Sequence, residues 1–313
     1  MFNYDKNYIA KRATEMGFIR DTLEKVYRLA DILEYLNTNP ILKDSLALKG
    51  GTAINLTIFN LPRLSVDIDL DYLGADSREI MLKNREIIND NVSRFMDTNG
   101  YTSSPKSKNP HSLDSWVYDY INAAGNRDNI KIEINYSMRA HIFPAREMKI
   151  ITEHFTSEYK IKCLNAIEIF GSKINALLSR AAARDLYDTY NMIKFGLFDE
   201  EEQDLLRKCV VFYAAVSARE INKNFETVAI DKITKYKIRT DLFPVITKKD
   251  AFDLDNVKES VKRFVVELMV LTPEEQEFLI RFENKEYVPD LLFNDKDIID
   301  RIKRHPMALW KMQ

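Results

Sequence analysis

Residues 46–73, LALKGGTAINLTIFNLPRLSVDIDLDYL, constrain the fold of this 313-residue chain more than any other stretch. Apolar and acidic residues alternate along the second half, which predicts a strand at 64–72. Its two faces hold, in turn, the apolar Val66, Ile68 and Leu70 and the acidic Asp67, Asp69 and Asp71. Aspartate is rare in strands, and carboxylates two residues apart repel each other unless a cation lies between them. The pattern therefore favours a Mg²⁺-type site over the alternative, a solvated acidic face.

A glycine pair lies just before this strand. Gly50 and Gly51 separate a predicted strand at 44–49 from a predicted short helix at 52–59, in a chain with only 8 glycines. Glycine lets the backbone approach a ligand closely, and the first N–H groups of a helix attract phosphate. Thr52 adds a hydroxyl donor. A turn needed only for packing is the alternative, but the order of the two motifs predicts a phosphate-binding turn beside a metal-binding strand.

A third carboxylate is expected on a neighbouring strand. The segment NIKIEINY, residues 129–136, alternates between isoleucines and the polar Lys131, Glu133 and Asn135. In two-metal sites a further carboxylate positions the second ion or helps to remove a proton from the attacking hydroxyl. Glu133 is the candidate, and an ordinary exposed glutamate on an edge strand is the alternative.

The rest of the chain predicts an α+β fold, with a small mixed sheet and a large helical C-terminal region. The predicted helices are 6–37, 77–98 and 163–195, the last with a break near Gly171, and the chain is again helical from about 200. The further predicted strands are 118–121, 129–136 and 147–151, and 102–115 is a predicted loop. We expect an α/β domain with an N-terminal helix at 1–160 and a helical domain at 161–313 that completes a cleft.

Composition limits the class of protein only loosely. A net charge of -2 neither indicates nor excludes a nucleic-acid partner. Cys163 and Cys209 are too few and too far apart for a disulfide framework or a metal cluster, which favours a reducing cytoplasm. The charged N-terminal segment predicts no secretory signal, and no apolar run reaches the roughly 18 residues of a membrane span.

The linked motifs resemble a known family. Gly-Gly-Thr, Asp-x-Asp and a later strand carboxylate are similar to the DNA polymerase β-like nucleotidyltransferase superfamily. More narrowly, LKGGTAINL and RLSVDIDLDY look like the AbiEii/AbiGii toxins of type IV toxin–antitoxin systems. The resemblance covers about residues 40–313 and includes LNAIEIFGSKINALLSR, RAAARDLYDTY and HPMALWK. It implies a nucleotidyltransferase head in the first domain.

The resemblance also implies the site residues. The catalytic group comprises Asp67, Asp69, Glu133, Lys173 and Asp185, and the metal ligands are Asp67, Asp69 and Glu133. The nucleotide-binding group comprises Gly50, Gly51, Thr52, Arg63, Ser65, Lys173, Arg184 and Asp188. The sequence departs from the family at Ala182, where a lysine is frequent. From spacing alone, Asp185 and Asp188 share a helix face, and a surface salt-bridge ladder is the alternative.

The function implied is transfer of a nucleoside monophosphate from an NTP to an acceptor hydroxyl, with Mg²⁺ (or Mn²⁺) and release of pyrophosphate. The expected acceptor is the 3′ end of tRNA, the expected antitoxin is a winged-helix repressor of the AbiEi kind, and no membrane partner is expected. Two alternatives stay open: a toxin that binds an NTP without transfer, and transfer to a small molecule or a protein. The basic clusters at 232–240 and 301–305 are candidate contacts for RNA phosphates.

Overall fold

The computed structural model describes residues 4–74, 77–151, 159–217 and 223–313. Its strands are β1 (Leu46–Lys49), β2 (Asp67–Tyr72), β3 (Thr102–Ser103), β4 (Leu113–Ile121), β5 (Arg127–Asn135), β6 (Arg146–Lys149) and β7 (Lys160–Cys163). They form one mixed sheet in the order β3-β4-β5-β2-β1-β7-β6. Strand β2 is central, antiparallel to β1 and parallel to β5. The acidic strand and the strand of Glu133 are therefore direct neighbours.

The strands match the predicted pattern with four differences, one of which is the two-residue strand β3, inside the segment predicted as a loop. Strand β2 begins at Asp67 rather than at 64 because the backbone N–H of Leu64 instead donates to the carbonyl of Val245 at 2.7 Å. Strand β4 extends back to Leu113, into the segment predicted as a loop, because its backbone pairs with β5 over nine residues. Strand β7 was not predicted, since a four-residue segment with two lysines carries little periodic signal.

The N-terminal helix is two helices. They are α1 (Lys6–Met16) and α2 (Arg20–Thr38), where the sequence predicts one helix over 6–37. Gly17 ends α1 in the left-handed conformation, with φ of 77°, and its N–H caps the carbonyls of Ala13 and Thr14. The apolar spacing continues on both sides of this cap, so periodicity alone does not show the break.

The predicted helix 163–195 breaks at a different place from the one expected. The helices are α5 (Ala166–Arg180) and α6 (Ala183–Lys194), joined at Ala181, which adopts a left-handed φ of 52°. The predicted break near Gly171 is wrong. Gly171 lies inside α5 because the backbone of the next helix, α7 (Glu200–Ser217), passes too close for a side chain: an added Cβ would lie 2.5 Å from the Cβ of Cys209.

The remaining helices are α3 (Gly50–Ala53), α4 (Arg78–Thr98), α8 (Val228–Asp231), α9 (Lys235–Lys237), α10 (Leu254–Leu268), α11 (Pro273–Glu283), α12 (Lys296–Ile302) and α13 (Pro306–Met312). Single π-helical turns follow α3 at Ile54–Ile58 and α9 at Ile238–Leu242. A mixed sheet with a large helical C-terminal region confirms the predicted α+β class. Over the described ranges, none of the helices is both long and apolar enough to cross a bilayer.

The chain divides into two compact units. The first comprises Met1–Arg139, Ala145–Leu164 and Pro244–Lys249, and contains the sheet. The second comprises Ala140–Pro144, Asn165–Phe243 and Asp250–Gln313. The segment 244–249 returns to the first unit, where Arg63 and Ile246 form a backbone bridge. The predicted division at residue 160 stays a prediction.

Candidate active site

Two aspartates lie side by side on β2. Asp67 and Asp69 are half-buried, while Ile68 and Leu70 on the opposite face are buried in the core. The alternation predicted from the sequence therefore holds in the structure. Two carboxylates spaced two residues apart on one strand face form a donor set that suits a hard divalent cation shared with a phosphate.

The glycine turn lies directly against this acidic pair. Gly50 has a φ of +68°, a conformation that residues with a side chain rarely adopt. A Cβ added there would lie 2.6 Å from Oδ2 of Asp69. Both the positive φ and the closeness of Asp69 therefore require glycine at position 50. As a result, main-chain atoms without a covering side chain lie beside a carboxylate.

The second glycine packs on two of the predicted nucleotide-binding residues. A Cβ on Gly51 would lie 2.5 Å from Nη2 of Arg63 and 2.8 Å from Oγ of Ser65. The Arg63 guanidinium is buried and donates to the carbonyl of Leu64 at 3.0 Å. Thr52 is also buried, and its hydroxyl donates to the backbone carbonyl of Asp67. The structure gathers these residues at one turn, and their contacts with a nucleotide stay a prediction.

The third aspartate of the strand has a different environment. Asp71 is buried, and its Oδ1 lies 2.5 Å from Nζ of Lys49 on the adjacent strand β1. A cross-strand lysine therefore balances this charge. Only Asp67 and Asp69 of the three remain partly open to solvent on β2.

Glu133 is in register with the acidic pair. On the parallel strands β2 and β5, Glu133 lies opposite Asp69, and Lys131 lies opposite Asp67. Glu133 Oε1 is 2.9 Å from Nζ of Lys131. Within the described ranges, no three His, Cys, Asp or Glu side chains are grouped closely enough to hold one ion. The two aspartates fit a metal ion, whereas ligation by Glu133 stays a prediction.

The second predicted cluster lies in the second unit and is buried. Lys173 of α5 is only 8% exposed, and its Nζ lies 3.0 Å from Asp185 Oδ1 and 2.9 Å from Asp188 Oδ2, both on α6. Arg180 reaches the other oxygen of Asp185 at 2.9 Å. These residues form an ion cluster between two packed helices, and so the surface-ladder alternative is wrong.

The charges of this cluster hold each other in place. Burial by itself would raise the pKa of Asp185, but the nearby Lys173 and Arg180 outweigh it and hold that pKa below its usual range. Arg184, the other predicted nucleotide contact, directs its Nε to the backbone carbonyl of Asp241 at 3.1 Å. The cluster thus keeps an ionised aspartate in a water-poor interior.

Two charged residues of these clusters were not predicted from the sequence. Lys131 shares a strand face with Glu133, so the alternation that selected Glu133 could also have selected Lys131. Arg180 precedes the predicted Arg-Asp-x-x-Asp motif, which begins at Arg184. Only the left-handed turn at Ala181 brings Arg180 back to Asp185, and spacing along a continuous helix does not predict that contact.

A mixed sheet with paired carboxylates beside a glycine turn is typical of enzymes that handle nucleotide phosphates with a divalent cation. The sequence model of the nucleotidyl transferase AbiEii toxins, type IV toxin–antitoxin system, matches residues 31–284. The chain belongs to this family, which makes it an NTP-dependent nucleotidyltransferase and the toxin of a pair that includes an antitoxin.

A solved structure has the same fold. MenT4, a nucleotidyltransferase toxin from Mycobacterium tuberculosis H37Rv, superimposes with a TM-score of 0.66 and 16% sequence identity. The match covers 98% of this chain and 99% of that one. No curated protein sequence matches the chain significantly. The match to the AbiEii sequence model confirms the predicted family, and the superposition on MenT4 confirms the predicted fold.

Proposed function

We propose that this toxin transfers a nucleoside monophosphate from an NTP to the 3′ end of tRNA in the cytoplasm and releases pyrophosphate. The proposal rests mainly on Asp67 and Asp69. Both side chains are half-buried on β2, and Asp69 lies against the main chain of Gly50. Simple binding of a triphosphate needs fewer charged side chains than Asp67, Asp69 and Lys173 together provide. The pair therefore favours transfer over binding alone.

The chain's own residues have defined roles in this proposal. Asp67 and Asp69 would hold Mg²⁺ (or Mn²⁺), which neutralises charge on the phosphates when bound. Glu133 is the proposed third ligand, once it is released from Lys131. The turn at Gly51 and Thr52 supports the outer phosphates, and Arg63 and Ser65 keep that turn in place. Orientation of the acceptor hydroxyl in line with the α-phosphorus then supplies most of the rate.

The second cluster contributes through charge. We propose that Lys173 and Arg184 act on the phosphates of the nucleotide, and that Asp185 and Asp188 orient Lys173. The family resemblance supports these roles, together with the ion pairs at 2.9–3.0 Å that fix the Lys173 ammonium. The proposed antitoxin is a winged-helix repressor of the AbiEi kind.

The acceptor is tested by label transfer. The purified protein is incubated with Mg²⁺, each NTP labelled at the α-phosphate, and in turn total tRNA, a set of aminoglycosides and a protein lysate freed of RNA. We expect label on tRNA only. We also expect no label on tRNA whose terminal ribose has been oxidised with periodate, because that treatment removes the acceptor hydroxyl. Label on an aminoglycoside or on protein with tRNA unlabelled would contradict the tRNA proposal. NTP binding without label on any acceptor would favour the binding-only alternative.

A further inference from the structure

The segment 232–243, KITKYKIRTDLF, is the most basic exposed stretch of the second unit that the proposed mechanism leaves unused. Four cations lie within 232–240 without a single acidic residue. We name residues 232–243 the basic-aromatic segment.

Buried apolar side chains and a capped helix start anchor the basic-aromatic segment. Helix α9 runs directly into the π-helical turn Ile238–Leu242, and Thr234 caps its start by accepting from the N–H of Lys237 at 3.3 Å. Ile233, Ile238 and Leu242 are buried beneath it. The opposite face, with Lys235, Tyr236 and Arg239, is open to solvent.

The exposed face carries an aromatic ring among positive charges. Tyr236 is 74% exposed, and Arg239, three residues further along, lies on the same side. Over the described residues, no ion pair involves Lys235, Lys237 or Arg239. A single exposed ring is common on protein surfaces, but a ring directly between two lysines places a stacking surface beside unbalanced positive charge.

The other basic cluster, at 301–305, differs from this segment in its ion pairing and in its lack of an aromatic residue among the cations. In 301–304, Nζ of Lys303 pairs with Asp300 at 2.7 Å, and no aromatic residue lies among its cations. Acids of its own helix therefore reduce its attraction for a polyanion. The basic-aromatic segment also contains an acid, Asp241, but its exposed Tyr236 lies directly between two lysines, and 301–304 has no such ring.

We propose that the basic-aromatic segment is a docking site for single-stranded RNA. Tyr236 stacks on an unpaired base, and Lys235, Lys237 and Arg239 contact the flanking phosphates. An aromatic platform bordered by cations is the combination that binds single strands, because every base offers a face for stacking. Duplex RNA hides those faces, so the geometry favours an unpaired loop or end. The inference rests on the proposed function, in that the RNA is the acceptor.

The test measures RNA binding by fluorescence anisotropy, with a short labelled single-stranded RNA and a duplex of the same sequence. We expect Tyr236→Ala to weaken single-strand binding by about tenfold or more, as loss of one stacked base does. Tyr236→Phe, which keeps the ring, should bind within about twofold of wild type. Each charge removed by Lys235→Gln, Lys237→Gln or Arg239→Gln should lower the slope of log affinity against log salt by about 0.7.

Matched controls separate this surface from general effects. Tyr8→Ala removes a tyrosine that is also exposed, on a helix of mixed charge, and Lys83→Gln removes a lysine that is paired with Glu79. Both should leave RNA affinity unchanged. Unchanged single-strand affinity in Tyr236→Ala would overturn the proposal, as would an equal loss for the duplex. Loss of binding to the antitoxin protein, with RNA binding retained, would overturn it in favour of a protein surface.

Label transfer in the same variants distinguishes the two proposals. If wild type labels RNA and Tyr236→Ala labels it equally well at limiting RNA, the docking site is wrong while the transferase proposal stands. If wild type labels no RNA, the proposed acceptor is wrong. Transfer at saturating RNA should be restored in Tyr236→Ala, because the segment affects acceptor affinity and takes no part in the chemical step.

Discussion

At the residue scale, Lys173 is held between two buried carboxylates. Its ammonium contacts Asp185 and Asp188 at 3.0 and 2.9 Å, and all three side chains are at least nine-tenths buried. Charges removed from water are stable only while each has a partner. The cluster is therefore a structural unit as well as a proposed part of the nucleotide site.

Removal of the Lys173 ammonium should lower the stability of the fold much more than removal of a surface cation. We expect Lys173→Met to lower the free energy of unfolding by about 3–5 kcal/mol, because it leaves two buried carboxylates without their shared counter-charge. Adding Asp185→Asn and Asp188→Asn should recover most of that loss. The control is Lys162→Met, which breaks a more exposed pair with Asp44 and should cost about 1 kcal/mol or less. Urea unfolding provides the measurement, and a Lys173→Met protein as stable as wild type would contradict the assignment.

The acidic strand shows what single residues reveal about a site before a structure is known. A period of two is enough to place Asp67 and Asp69 on one face, and the structure agrees. The same period places Asp71 with them, yet its charge is balanced by Lys49. That pairing depends on how β1 lies against β2, which the alternation within one strand does not contain.

At the element scale, the helices α5 and α7 pack backbone to backbone at Gly171. The sequence rule that glycine interrupts a helix predicts a break there, but the close approach of Cys209 supplies another reason for glycine. The real break at Ala181 carries no glycine signal. Element types could thus be predicted from periodicity, whereas helix ends set by tertiary packing could not.

Replacement of Gly171 by alanine has two opposing effects on the free energy of unfolding. Alanine gains about 1 kcal/mol of helix preference over glycine. Its Cβ, however, would lie 2.5 Å from Cys209 Cβ and 3.2 Å from backbone, so two helices must separate. Overpacking of this kind costs about 1–3 kcal/mol, and we expect Gly171→Ala to be destabilised overall, with a lower Tm. Ser172→Ala on the same helix is the control and should change stability by about 0.5 kcal/mol or less. Equal or higher stability of Gly171→Ala would show that the helices are not in close contact.

For the molecule as a whole, the sequence predicts the fold class but not how distant segments of the chain associate. The strand and helix patterns indicate an α+β protein, and the sheet and the fold match confirm it. The return of 244–249 to the first unit could not be predicted, because backbone bonds such as Leu64 to Val245 link residues far apart in sequence and involve no periodic pattern. Family motifs selected the candidate site residues, whereas the position of Glu133 opposite Asp69 follows from the register of β2 and β5, which the sequence does not contain.

The proposed nucleotidyl transfer depends most directly on Asp67 and Asp69, which would hold the divalent cation. The most direct measurement is the rate of label transfer from NTP by wild type, Asp67→Asn and Asp69→Asn, each shown to be folded by thermal unfolding. Asparagine keeps the shape but removes the charge that would hold the cation, and loss of one electrostatic contact at a reacting centre typically costs about 100-fold or more. Asp119→Asn, a half-buried aspartate on β4, is the matched control.

We expect both site variants to lose transfer by at least about 100-fold. The Tm of Asp67→Asn should be equal to or above that of wild type, because the substitution relieves repulsion between neighbouring carboxylates. Asp119→Asn should retain the wild-type rate. Folded Asp67→Asn and Asp69→Asn proteins that transfer label at the wild-type rate would show that these carboxylates take no part in transfer.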